Sequence, residues 1–285
     1  GSKKNIDKFL SNPQFSFIEA DIIANKELGI KNQGNSSFCI FHLASPASPN
    51  AKSPRSYISN PIETLQVNSQ GTKNLLDLAR ELNARFVYAS TSEVYGDPAI
   101  SPQVETYWGN VYPNGIRSVY DEGKRFGEAM VMAYVRKFGV DARIMRIFNT
   151  YGPQMQADDG RVVSNFVIQA IHNEPLTVFG KGEQTRSFCY VSDMVEGLLK
   201  MIFTDGLKGE VINLGNPIER TILEFATLIK EMIKSSSEIV FQDLPADDPK
   251  QRRPDISKAK RLLNWEPTVN LEQGLTKTVE YFKNI

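Results

Sequence analysis

Metal-binding side chains are scarce, with two cysteines and two histidines among 285 residues. His42 and His172 stand apart from any Cys or carboxylate at zinc-ligand spacing, so no metal centre is expected. Cys39 and Cys189 sit in the apolar stretches S-F-C-I-F and R-S-F-C-Y-V. They read as two buried thiols in a reducing compartment rather than as a disulfide. An excess of charge of one sign is missing as well. Lys plus Arg number 33 and Asp plus Glu number 33, a formal net charge of zero, which argues against bulk attraction to nucleic acid or to an anionic membrane. No apolar run approaches the roughly 18 residues of a membrane-spanning helix, so no membrane partner is expected. The first apolar residues are interrupted by Lys4, Asp7 and Lys8, unlike a secretory leader, and the chain reads as cytoplasmic.

Hydrophobic residues make up 41% and charged residues 23%, enough apolar surface to bury a core. Short β-branched and aromatic runs alternate with helical periodicity, the pattern of a parallel sheet flanked by helices. Strands are expected at Phe15–Ile18, Phe38–Leu43, Arg85–Ala89 and Ala142–Ile147. Helices are expected over Pro61 to Leu82, with Pro61 in a first turn that tolerates proline, and over Val119 to Phe138. After Asn149 the loops lengthen. Helical patterns follow at Val162–His172, Ser192–Phe203, Ile222–Lys234, Ile256–Leu263 and Leu271–Phe282, with short strands at Leu176–Phe179, Val211–Leu214 and Glu238–Phe241. The fold class is therefore α/β: a Rossmann-like, doubly wound parallel sheet with a smaller α/β lobe over its carboxyl edge, where such folds bind ligands. Residues 1–150 plus about 187–217 are assigned to the sheet domain, and about 151–186 plus 218–285 to the lobe. The polar stretch Lys31–Ser37 reads as a surface loop.

Tyr120 and Lys124 form a Y-x-x-x-K pair on a predicted helix, and residues four apart share a face. A free tyrosine has a pKa near 10, and a neighbouring cation favours the phenolate. Such a phenol can take a proton from a substrate hydroxyl while hydride leaves the same carbon. The strand R-F-V-Y-A-S runs directly into Thr91-Ser92-Glu93, placing a hydroxyl at a strand's carboxyl end, the side that faces the ligand crevice. A Thr, a Tyr and a Lys in this arrangement make a hydroxyl-oxidising set.

With these residues, the segments H-L-A-S-P-A-S-P, A-S-T-S-E-V-Y-G-D-P, E-T-Y-W-G-N-V, Y-D-E-G-K-R, R-I-F-N-T-Y-G-P, D-D-G-R-V-V-S-N-F, Q-T-R-S-F-C-Y-V-S-D, D-D-P-K-Q-R-R-P-D-I and L-N-W-E-P run in order from about Asn5 to Tyr281. Together they resemble the extended short-chain dehydrogenases/reductases that act on nucleotide sugars, and within them the UDP-glucuronate decarboxylases. The resemblance implies NAD as cofactor, a UDP-sugar as substrate and a homodimer built through the helices near Leu65–Leu82 and Val119–Phe138. It implies that Tyr120 deprotonates the sugar C4 hydroxyl, that Lys124 lowers the pKa of Tyr120 and bonds the nicotinamide ribose, and that Thr91 bonds the same hydroxyl. Glu93 would order the glucuronate or manage the proton returned to C5. Asn149, Arg186 and Arg252 would meet the substrate, the arginines as forks for phosphate or carboxylate. Asp21, Leu43, Ala44 and Asn68 match cofactor-lining positions.

The T-S-E triplet narrows the reaction. Similar 4,6-dehydratases carry T-D-E, whose Asp protonates a departing C6 hydroxyl; Ser92 stands there instead. Decarboxylation needs no such acid, because a C4 ketone turns the C6 carboxylate into that of a β-keto acid. The alternatives are another nucleotide-sugar 4,6-dehydratase or 4-epimerase, or a non-catalytic UDP-sugar-binding protein. The family's opening G-x-x-G-x-x-G, whose amides cradle the cofactor pyrophosphate, has no counterpart: the first glycines are Gly1, Gly29 and Gly34. By alignment about 35 residues, the first βαβ unit, are absent from the sequence. Lys31–Ser37 and Lys52–Ser59 read as insertions, and Gln154 stands where the family often has Arg.

Overall fold

The computed structural model describes residues 3–24, 30, 37–244 and 251–285. Its centre is a parallel sheet of four strands in the order Cys39–His42, Arg85–Thr91, Ala142–Ile147 and Val211–Leu214. Alternation along the strand Arg85–Thr91 sends Phe86 and Tyr88 to one face and Val87 to the other. Both faces are covered, which is why these strands read as almost unbroken apolar runs. On one face Phe86, Tyr88 and Ile144 pack with Leu76 and Val131 from the helices Thr72–Glu81 and Ser118–Phe138. On the other, Val87, Met145 and Ile212 pack with Met201 and Ile202 of the helix Val191–Phe203 and with Ala259, Leu263 and Trp265. The helix Ser257–Leu263, in the stretch assigned to the smaller lobe, thus contributes to the core beneath the sheet.

The fully buried Arg143 donates to the carbonyls of Met201 and Thr204 at 2.7 and 2.8 Å. These carbonyls end the helix Val191–Phe203, where a cation is favoured.

The run from Pro61 is helical as expected, but with a change of pitch inside it. An α-helical segment Pro61–Gln66 passes through a π turn, Val67–Gly71, into Thr72–Glu81. The buried polar side chain of that π turn is Asn68, which accepts from the Tyr88 hydroxyl at 3.0 Å and donates to Ser45 Oγ and the Thr64 carbonyl. The helix Ser118–Phe138 closes on Gly139, whose left-handed φ of 71° lets its N–H cap the Val135 carbonyl.

The smaller lobe has its own core of Tyr151, Phe166, Val178, Phe188, Phe225 and Leu275. Strand Leu176–Phe179 pairs in parallel with Ile239–Gln242, and a three-stranded sheet joins Gln251–Arg252, Thr185–Ser187 and Glu219–Thr221. Thr221 and Glu224 form a reciprocal cap that starts the helix Ile222–Ile233.

Two expectations are corrected. Phe15–Ile18 is not a strand: the segment has no regular structure, and Phe17 and Ile18 are 45% and 56% exposed. A strand exists only against a partner ladder, and the open side of Cys39–His42 has none among the described residues. Cys39 is exposed rather than buried because it begins that edge strand, whereas Cys189 is buried. Of the expected loop Lys31–Ser37, residues 31–36 lie outside the described residues.

Tyr88 reaches Asn68 because Gly127 faces it: a Cβ on Gly127 would stand 2.0 Å from the Tyr88 hydroxyl oxygen. Gly127→Ala is therefore expected to lower stability by about 1–3 kcal/mol, against the gain that alanine ordinarily brings to a helix interior. Urea denaturation measures this, and an unchanged or raised midpoint would contradict the close contact.

Candidate active site

Thr91 ends its strand with an extended backbone, and the chain then turns through the 3-10 helix Ser92–Tyr95. Its Oγ1 accepts from the Glu93 N–H at 3.2 Å, so the hydroxyl that crowns the strand also caps the turn that aims Glu93. Gly96 closes the turn with φ of 61°; a Cβ there would stand 2.0 Å from the Asn110 carbonyl oxygen.

Tyr120 and Lys124 occupy the buried face of the helix Ser118–Phe138, 8% and 3% exposed. Lys124 Nζ donates to the Ala89 carbonyl at 2.8 Å and lies 5.9 Å from the Tyr120 ring centroid. Burial pushes the Lys124 ammonium down to about 7, with Glu128 opposing. Burial likewise pushes the Tyr120 phenol up to about 12; Arg161 and a hydrogen bond with Thr91 pull it down, and Glu93 adds to the rise. Burial is the largest of these causes and favours the neutral phenol.

Glu93 forms ion pairs with Arg117 on one side and Arg252 on the other. Burial would raise its carboxyl, but the guanidiniums of Arg252 and Arg117 outweigh this and hold it far below the ordinary range. Arg252, 3% exposed, also lies 3.5 Å from Ser92 Oγ, and its Nε has no partner among the described residues. Arg186 is its register partner in the neighbouring strand, and Arg220 is the partner of Arg186 on the far side. Residues paired in register point to the same face. Three arginines therefore share one row, and Arg220 pairs with Glu272 at 3.3 Å. A row of like charge on one sheet face is suited to an anion.

Asn149 lies just past the strand Ala142–Ile147, and its carbonyl accepts from the Cys189 N–H at 2.9 Å. Leu43, 56% exposed, and Ala44 form an open ledge at the end of the edge strand. Asn68 lies beneath this ledge, bonded to Ser45 at 3.0 Å. Asp21 is exposed and accepts from the Ile23 N–H at 2.8 Å, a local turn. The structure brings Thr91, Glu93, Tyr120 and Arg252 into one cluster, with Lys124 behind Tyr120, while no contact among the described residues joins Asp21 to them.

Three further members of the cluster escaped sequence reasoning. Tyr57, inside the stretch read as an insertion, is 3% exposed and stacks on Tyr120 with ring centroids 5.2 Å apart. No periodicity marks it. Arg117 carried a legible signal: a cation at a helix N-terminus opposes the helix dipole and needs another reason to be there. Asp121 is 6% exposed, and burial followed by Glu93 pushes its carboxyl up to about 7 against Arg117 and Arg252.

A doubly wound parallel sheet with a hydroxyl at a strand's carboxyl end and a Tyr-x-x-x-Lys helix beside it defines an extended short-chain dehydrogenase/reductase. Residues 2–278 match the family described as GDP-mannose 4,6 dehydratase, and the chain belongs to that family. UDP-glucuronic acid decarboxylase 1 of Xenopus tropicalis is 49% identical over 283 residues, 99% of this chain and 64% of its own length. UDP-glucuronic acid decarboxylase 6 of Arabidopsis thaliana is 50% identical over 99% of this chain and 78% of its own. Among solved structures, the UDP-glucuronic acid 4-epimerase of Bacillus cereus in complex with UDP-glucuronic acid and NAD is similar with a TM-score of 0.85 and 29% identity, over 99% of this chain and 86% of that one. The chain thus spans less than two thirds of the length of the first curated relatives it matches, 64%, 64% and 62%.

The double clamp on Glu93 makes a stability prediction. Glu93→Gln removes the carboxylate that Arg252 and Arg117 share and is expected to cost about 3–5 kcal/mol at neutral pH. A carboxyl held below its unfolded value contributes stability that is fully present above about pH 4.3 and is lost as pH falls towards the folded value. Wild type and variant should therefore converge on acidification below about pH 4. Denaturation across pH checks this; a gap as wide at about pH 2.5 as at pH 7 would contradict the clamp.

Proposed function

We propose that this chain belongs to an NAD-dependent UDP-glucuronate decarboxylase that yields UDP-xylose through a 4-keto intermediate. The observation that carries the reading is the turn Ser92-Glu93 facing Arg252. It offers a hydroxyl where a dehydratase needs an acid, and a guanidinium suited to an acidic sugar. The roughly 50% identical relatives named UDP-glucuronic acid decarboxylase support it.

The residues present fit the nicotinamide half of NAD. The chemistry of the donor set carries this fit: the Lys124 ammonium beside the Ala89 carbonyl, and the Leu43–Ala44 ledge supported by Asn68 through Ser45. Bound there, NAD would supply an acceptor for the C4 hydride and a positive charge that favours the phenolate form of a general base. Thr91 hydrogen-bonds the C4 hydroxyl, and Tyr120 takes its proton as the phenolate. The resulting β-keto acid loses its carboxylate as carbon dioxide: the C5–C6 bond breaks, its electrons pass onto the C4 carbonyl, and the enolate takes a proton at C5 from solvent. Tyr120 then gives its proton back to the C4 oxygen. Held ionised, Glu93 serves to order the sugar between Arg117 and Arg252. Arg186 and Asn149 take the diphosphate.

Exposed Ile62, Leu65 and Phe126, on the helices Pro61–Gln66 and Ser118–Phe138, favour a homodimer through those helices. Two unpaired cysteines fit a cytoplasmic setting. No helix among the described residues is long and apolar enough to cross a membrane.

Conversion of UDP-glucuronate to UDP-xylose and carbon dioxide by the NAD-loaded full-length protein tests the reading; its absence in protein that binds both ligands would overturn it. Tyr120→Phe should lower turnover by about 10²–10⁴-fold with UDP affinity almost unchanged. Wild-type-like turnover would remove Tyr120 from the chemistry. Arg252→Ala should weaken UDP-glucuronate far more than UDP or UDP-glucose, and Arg252→Lys should also be damaging because lysine cannot form the fork. Equal losses for all three ligands would assign Arg252 to the phosphates instead.

A further inference from the structure

Arg252 faces Glu93 and the adjacent Arg253 does not, although the two side chains are alike and the strand Gln251–Arg252 is only two residues long. Arg252 is buried, whereas Arg253 donates through Nε to the Pro217 carbonyl at 3.1 Å and lies 3.8 Å from Glu219. Successive side chains of an extended chain point to opposite sides, so a slip of one residue would exchange the two arginines. Pairing of Arg252 with Arg186 is one restraint on that register. A strand so short has little else of its own to hold it.

The second restraint is Gln103, fully buried in the segment that follows the Glu93 turn. Its N–H donates to the Arg253 carbonyl at 2.8 Å, its Oε1 accepts from the Arg253 N–H at 2.8 Å, and its carbonyl accepts from the Asp255 N–H at 2.9 Å. Its Nε2 donates to the Ile100 carbonyl at 2.7 Å, which sets the orientation of the amide. The buried Asn213 supports this contact from the central sheet. It donates through Nδ2 to the carbonyls of Gln103 and Asp255 at 3.0 and 3.3 Å, and accepts from the Tyr95 hydroxyl at 2.8 Å.

Pro254 makes the arrangement specific to one register. It bridges with Gln103 between the two residues whose N–H groups Gln103 receives, and it has no N–H of its own. A slip in either direction carries Pro254 into one of those two places, and one of the two bonds is lost inside the protein. Only the register that turns Arg252 towards Glu93 satisfies Gln103 fully.

We propose that Gln103 is a positioning residue that selects Arg252, and not Arg253, as the arginine presented to the acidic sugar. The inference rests on the reading of Arg252 as the residue that meets the sugar carboxylate. Gln103 touches neither sugar nor cofactor in this account; it acts through the backbone of Arg253 and Asp255. The buried Arg252 Nε, without a partner among the described residues, is a donor that this register leaves for the substrate.

The test uses the NAD-loaded full-length protein. Gln103→Met keeps the length of the side chain and removes both amide groups. It should raise the KM for UDP-glucuronate by about three- to tenfold, with kcat changed far less and UDP affinity unchanged. A role confined to stability would lower the denaturation midpoint and leave the KM of the folded protein as in the wild type. Arg252→Ala and the double variant complete a cycle. If Gln103 acts through Arg252, the double variant should lose no more UDP-glucuronate affinity than Arg252→Ala alone. Additive losses overturn the proposal, as does a folded Gln103→Met with an unchanged KM. Hydrogen exchange of the wild type needs no variant, so the proposal stays decidable if Gln103→Met folds poorly. The amides of Arg253 and Asp255 should be protected before substrate is added; exchange at the rate of an open loop until UDP-glucuronate binds overturns it. Failure to bind UDP-glucuronate at all overturns the functional reading and this inference together, whereas normal binding with additive losses overturns this inference alone.

Discussion

Glu93 is held between Arg117 and Arg252, and three distant parts of the chain meet at that carboxylate. One guanidinium comes from the start of a helix on the sheet domain and the other from a two-residue strand near the C-terminus. Removing Glu93 would take the shared anion from both guanidiniums, so the clamp ties the C-terminal strand to the carboxyl end of the central sheet. The crevice between sheet and lobe is set by this contact as much as by apolar packing. It also determines which acid in the site is ionised: the anion beside two cations is Glu93, and the one left with a bare oxygen is Asp121.

Close approach on the other side of Tyr120 depends on what is missing. Gly127 has no side chain, so Tyr88 fills the gap and its hydroxyl reaches Asn68. Asn68 in turn carries Ser45 next to the exposed ledge of Leu43 and Ala44. The π turn Val67–Gly71 is the local device that keeps Asn68 buried in a helix whose neighbouring Leu65 and Gln66 face outward. Tyr88, Asn68 and Ser45 are thus joined in one chain of hydrogen bonds.

Much of the framework was legible before any coordinates. The strand Ala142–Ile147 and the helix Val162–His172 fall where periodicity placed them, and the helix around Tyr120 begins one residue earlier than expected. Phe15–Ile18 failed because a strand needs a partner, which a local apolar run does not reveal. Cys39 failed for a related reason: an apolar stretch was read as buried, but its first residue lies at the open edge of the sheet.

The site was legible by type and not by charge state. Motif spacing placed Thr91, Tyr120 and Lys124 on the page, because helix and strand periods are local properties of the chain, and the family resemblance supplied Glu93 and Arg252. It had no means of finding Tyr57 stacked on Tyr120, since an aromatic in a polar loop looks the same wherever the loop folds. Nor could it place Arg220, Arg186 and Arg252 in a single row, which depends on the register of strands far apart in sequence. The sequence by itself determined the sheet-and-helix order and the hydroxyl, phenol and ammonium of the candidate chemistry. Only the tertiary structure decided which carboxyl is clamped and which is left unpaired, because a buried group's charge is set by neighbours brought from elsewhere in the chain.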